Sequence, residues 1–135
     1  MKSLPVRLAL TLAVAGLLCG PAAAQVAVVM APSAGALSKE QVANVYLGRS
    51  AELRPLDLPE GSATRHLFYK KAAERDAAQI KAVWSRIVFS GKGAPPKEVP
   101  DAAAVKRAVA ADPKSVGYIE KAAVDSSVKV VLMLE

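Results

Sequence analysis

Two β-branched apolar runs, "VAVVM" at Val26–Met30 and "VKVVLML" at 128–134, stand near opposite ends of the chain. Each is short and nearly continuous, as in strands buried on both faces. Between them, helical patterns alternate with shorter strand patterns. That alternation narrows the fold most: it calls for an α/β domain, a three-layer-like parallel or mixed sheet flanked by helices. The two runs are its natural central strands.

The intervening helices carry their own start signals. Ser38 with Gln41, and Asp76 with Gln79, have the spacing of capping boxes, and Leu37 can staple onto Val42. Val42, Val45 and Tyr46 form one stripe that Gly48 ends. After Asp76, the residues Ile80, Val83, Trp84, Ile87 and Val88 hold helical spacing throughout, which makes this the most strongly marked helix. "LRPLDLP" at 53–59 alternates as a short strand limited by its prolines. "FSGKGAPPKEVP" at 89–100 reads as a loop. Asp101 caps an alanine-rich helix, and "VGYIE" and "VKVVLMLE" follow as strands. There is no internal repeat, low-complexity tract or linker.

The first 24 residues have the form of an export signal. Lys2 and Arg7 precede the apolar "LALTLAVAGLL", which is short for a bilayer span, and Ala22–Ala24 offer small residues for cleavage. Leu18 before Cys19 argues against a lipid-modified cysteine, and polar and helix-breaking residues follow too soon for an anchor. The expected mature chain is one domain, 25–135, which is periplasmic and has no stable membrane anchor. Its 111 residues (135 less 24) contain no cysteine, so neither a disulfide nor a thiol nucleophile is available. With Lys2 and Arg7 removed, 16 of the 18 basic residues face 12 acidic ones, a net charge of +4. This charge is spread along the chain. Together with export, it favours a small anion or an acidic surface over nucleic acid.

The stretch "LPEGSATRHLF" at 58–68 places a cation where the other helix starts place a capping glutamine. With Ser62 as N-cap, the N–H groups of Ala63, Thr64 and Arg65 are free of helical partners. They form the positive end of the helix dipole, and the hydroxyls of Ser62 and Thr64 add donors. Gly61 lets the chain pass close to a ligand. Arg65 in the first turn opposes the dipole by about 0.3–1 kcal/mol. A bound oxyanion reverses that sign, because the guanidinium fork matches two oxygens. The plainer reading is a serine cap with Arg65 turned to water. Asp57, at its strand's end, either accepts a hydrogen bond from a protonated oxyanion or caps the next turn.

Other residues carry less chemistry. His66 is the only histidine and lacks a second nitrogen or sulfur ligand for a metal. Ser62, His66 and Asp57 can be drawn as a hydrolytic triad, but Ser62 and His66 lie one helical turn apart without a strained nucleophile elbow. No enzyme and no cofactor are expected. Tyr46 and Trp84 fall on apolar helix faces and read as core. "SGKGAPP" lacks the spacing of a nucleotide-binding loop, and Lys92 within it reads as a solvated loop lysine.

In order, "LSKEQVANVYLG", "GSATRHLF", "VWSRIVFSGKGAPP" and "SVGYIE" make the chain from Leu37 onward resemble the substrate-binding component of phosphate ABC transporters. More narrowly, it is similar to small single-lobe domains of that type. The resemblance implies a fold like one lobe of a type II periplasmic binding protein, with phosphate or a related oxyanion near "GSATR". Ser62, Thr64 and Arg65 match positions that grip the anion in full-length relatives, while Ala63 stands where those relatives have glycine. The second lobe and hinge are missing, so closure needs a partner: a transporter permease, a sensor or a second copy. An exported interaction module that kept the scaffold and lost the ligand is the other reading.

Overall fold

A computed structural model describes residues 25–135; the expected export signal at 1–24 lies outside the described residues. The chain runs β1 (Val26–Met30), α1 (Lys39–Tyr46), β2 (Arg54–Asp57), α2 (Ala63–Ala73) and α3 (Ala77–Phe89). It continues through β3 (Lys97–Glu98), α4 (Ala102–Ala111), β4 (Ser115–Glu120), a 3-10 turn (Lys121–Ala123) and β5 (Lys129–Leu134). No helix among the described residues is long and apolar enough to cross a membrane.

The five strands form one mixed sheet in the order β3-β2-β4-β1-β5. β2 is parallel to both β3 and β4, whereas β1 is antiparallel to both β4 and β5. The parallel pairs require crossovers. The chain supplies α2 and α3 between β2 and β3, and α4 between β3 and β4.

Two expectations change here. β5 is an edge strand, paired only with β1, and the central place belongs to β4. Half of the side chains of β5 are therefore only partly buried, although every residue after Lys129 is apolar. The 89–100 segment is not all loop, because Lys97 and Glu98 pair with Leu56 and Asp57. Prolines on both sides hold that strand to two residues.

Gly117 and Tyr118 show how the layers form. Successive strand residues face opposite sides. A Cβ at Gly117 would lie 2.5 Å from Val105 Cγ1, so only glycine lets α4 sit this close to β4. The next residue, Tyr118, stacks on Phe68 of α2 with ring centroids 3.9 Å apart and planes within 3°. Hence α4 covers one face of the sheet, and α2 with α1 covers the other.

The capping boxes at Ser38–Gln41 and Asp76–Gln79 are both present, with each partner accepting the other's backbone N–H. Gly48 follows α1 at φ 74°, where L-residues are strained. Trp84 and Ile87 of α3 close over it. A Cβ at Gly48 would come within 2.5 Å of Ile87 Cδ1, and Trp84 Nε1 donates to the Tyr46 carbonyl at 3.0 Å.

Candidate functional site

The carboxyl ends of the three parallel strands open onto one region of the surface. β2 ends at Asp57 and leads through Ser62 into α2. β3 ends at Glu98 and leads through Asp101 into α4, and β4 ends at Glu120. In open α/β sheets, ligands collect at such crevices. A cleft of about 470 Å³ lies here, lined by Ser62, Thr64, Asp101, Ala102, Ile119 and Glu120 among others. The N-termini of two helices thus meet at one cleft.

Ser62 is the N-cap of α2, and its Oγ accepts the Arg65 N–H at 3.3 Å. The helix has no acidic residue in its first turn. The N–H groups of Ala63 and Thr64 have no acceptor among the described residues. Thr64 is buried, and its hydroxyl donates to Glu120 Oε1 at 3.0 Å. Gly61 has open space where a Cβ would stand.

Arg65 leaves from the other side of the turn. Its Nη1 donates to the Leu58 carbonyl at 2.8 Å and lies 3.6 Å from Asp57 Oδ2, an ion-pair distance. The guanidinium also sits 5.7 Å from the centre of the Tyr69 ring. The candidates therefore divide: Ser62 and Thr64 line the cleft at the strand ends, while Asp57 and Arg65 line a second cleft of about 530 Å³ beneath α3.

Asp57 is 4% exposed and fully engaged. Oδ2 accepts the Tyr69 hydroxyl at 2.5 Å, and Oδ1 accepts the Tyr118 hydroxyl and the Leu58 N–H. The third tyrosine, Tyr46, places its hydroxyl 2.7 Å from the Leu56 carbonyl and 3.2 Å from that of Val116, bridging β2 and β4. Burial is the main cause that raises the Tyr69 and Tyr118 hydroxyls well above the usual phenol range. The Asp57 charge and the hydrogen bonds to it add to the shift. A buried carboxylate is stable only when charged or polar partners surround it, and this one gathers two phenols, a backbone amide and a guanidinium.

Sequence reasoning named Asp57 but missed Tyr69 and Tyr118. Tyr69 lies inside the helix that Ser62 opens, outside its capping turn, and Tyr118 enters only as part of "SVGYIE". The one available signal was that the chain has just three tyrosines; that β4 carries one of them to the side of β2 is set by the strand order alone.

No family model and no curated protein matches the chain. Its fold is shared with solved structures. An ABC-type phosphate transport receptor from Vibrio cholerae is 19% identical, with a TM-score of 0.62, over 80% of this chain and 45% of that one. A putative phosphate ABC transporter substrate-binding protein with bound phosphate, from Clostridium perfringens, is 18% identical. Its TM-score is 0.64, over 80% of this chain and 44% of that one. The chain spans less than half the length of either, so the shared architecture is a part of theirs.

Proposed function

We propose that this chain is an exported, non-catalytic solute-binding lobe that takes phosphate or a related oxyanion at the N-terminus of α2. The observation carrying this reading is the pair of unpartnered N–H groups, Ala63 and Thr64, beside the Ser62 hydroxyl at the carboxyl ends of β2, β3 and β4. Free amides at the positive end of a helix form an anion seat, and the N-terminus of α4 adds a second dipole to the same cleft. Gly61 keeps the approach open. The Arg65 guanidinium lies in the neighbouring cleft, held by Leu58 and Asp57, and adds positive charge from behind the turn rather than acting as a direct ligand. The shared fold with phosphate receptors supports phosphate as the first anion to test. In this reading residues 25–135 are one periplasmic domain freed by cleavage after the signal at 1–24, and its partners are a permease, a sensor or a second copy.

The cleft also sets a limit. Asp101 and Glu120 line it and oppose an anion, and a single open lobe leaves the ion screened by water. Charge-assisted hydrogen bonds of about 1.5–3 kcal/mol each must offset about 4–15 kcal/mol of lost freedom. The isolated chain is therefore expected to bind in the millimolar range, about −4 kcal/mol. Isothermal titration with sodium phosphate, against sodium chloride at equal ionic strength, measures this directly. The parent should show weak saturable binding and a phosphate-dependent rise in melting temperature, which Ser62→Ala and Arg65→Gln both reduce. A parent without response refutes the reading. Variants that respond like the parent remove those residues from the site.

A second reading, an interaction module without ligand, has its own observation. The Arg65 guanidinium and the Thr64 hydroxyl already hold internal partners, Leu58 with Asp57, and Glu120. The same titration separates the two.

A further inference from the structure

Away from the strand ends, where α3 lies over the end of α1, a cleft of about 430 Å³ gathers three arginines. Arg49 follows α1, Arg75 sits between α2 and α3, and Arg86 lies in the last turn of α3. Its walls include Leu47, Val83 and Ile87, and no carboxylate lines it. None of the three guanidinium groups has an ion pair or a side-chain hydrogen bond among the described residues. Arg54 and Arg65, by contrast, are each paired with an aspartate. The Arg75 Nε–H is the one buried side-chain polar atom without a hydrogen-bond partner among the described residues. Such an orphaned donor is costly, more so on a charged group. Arg75 also borders a neighbouring cleft with Glu74, Asp76, His66 and Lys70, but it forms no ion pair there among the described residues, and the Asp76 carboxylate is occupied in capping α3.

Three like charges on one cleft repel, and an apolar wall lowers the local dielectric and strengthens that repulsion. A ligand with several anionic oxygens turns the repulsion into attraction and supplies the acceptor that Arg75 lacks. Guanidinium forks match phosphoryl oxygens two at a time, which an ammonium does not. We propose that the Arg49–Arg75–Arg86 cleft is a second anion site, separate from the α2 N-terminus, that binds a phosphoryl-bearing polyanion. The apolar wall beside the arginines accommodates the carbon portion of an organic phosphate, such as a lipid headgroup, as readily as a free inorganic one.

The test is amide chemical-shift mapping of the full chain with inorganic pyrophosphate at constant ionic strength, paired with sedimentation on vesicles of phosphatidylcholine with and without phosphatidylglycerol. Saturable shifts around Arg49, Arg75 and Arg86 are expected, weakened about tenfold or more by Arg86→Gln. Arg49 and Arg86 are exposed, so Arg49→Gln and Arg86→Gln are read on a folded protein even if Arg75→Gln is unstable. Arg75→Lys should retain charge but lose affinity. Pyrophosphate binding without sedimentation assigns a soluble ligand, and phosphatidylglycerol-dependent sedimentation that Arg86→Gln weakens assigns a lipid surface; either supports the site. Absence of both, shifts that sodium chloride reproduces, or binding that Arg86→Gln leaves unchanged overturns it. Loss of the shifts in Ser62→Ala but not in Arg86→Gln assigns the binding to α2 and also overturns the proposal.

Discussion

Asp57 and Phe89 occupy opposite environments to those their chemistry would suggest: the carboxylate is 4% exposed and the phenyl ring 96%. Asp57 ends a strand in the middle of the domain, where Tyr69, Tyr118, Leu58 and Arg65 all reach it. Phe89 ends α3, two residues past Ile87, at the rim of the cleft beneath that helix. The contact of α3 with the rest of the molecule follows Ile80, Trp84 and Ile87, the first buried in the core and the others closing over Gly48. Val88, 49% exposed, and Phe89 lie off that line. A polar group can be buried where partners converge, and an apolar one stays in water where the packing surface has run out.

The largest expected effect breaks the buried side of this comparison. Asp57→Ala leaves two phenols, an amide and a guanidinium without their shared acceptor and should destabilise the fold by about 3–5 kcal/mol. Urea denaturation measures it, and a loss below about 1 kcal/mol would mean that the tyrosines find other partners.

Alkaline titration is the next test. Tyr69 and Tyr118 must be protonated to donate to Asp57, and their folded values are raised above the ordinary phenol value of 10.0. The stability they contribute is therefore complete below about pH 10 and falls as pH rises above it, since the unfolded chain releases its phenol protons first. Tyrosinate absorbance for these residues should appear together with loss of the circular dichroism signal. Ionisation well before unfolding would show that the hydroxyls are not locked. The smallest effect belongs to the exposed side: Phe89→Ser should change stability by no more than about 0.5 kcal/mol, as read by the same denaturation. A larger loss would show that the ring packs in solution.

Much of the fold was legible in the sequence because its signals are local. The cap at Ser38, the box from Asp76 to Gln79, the stop at Gly48 and the serine start of α2 each act within a few residues, and each stands in the structure. The mixed α/β sheet followed from the alternation of periods. The order of strands did not, because hydrophobicity marks a strand as buried without saying which neighbours bury it. Thus "VKVVLML" became an edge and "SVGYIE" the centre. Helical periodicity likewise marked a face of α3 without saying how much of it would be covered.

The region around residues 58–68 divides the same way. The sequence alone determined that a helix starts at Ser62 without a first-turn carboxylate, and that a guanidinium stands beside that start, because capping and dipole effects are confined to one turn. Only the tertiary structure decided where the guanidinium goes. Arg65 turns back to Leu58 and Asp57, and Asp57 is fixed by hydroxyls from positions 69 and 118, the latter brought in from β4. Contacts between residues far apart in the chain depend on how strands are ordered and on which face of the sheet each side chain falls, and no window of neighbouring residues contains that information.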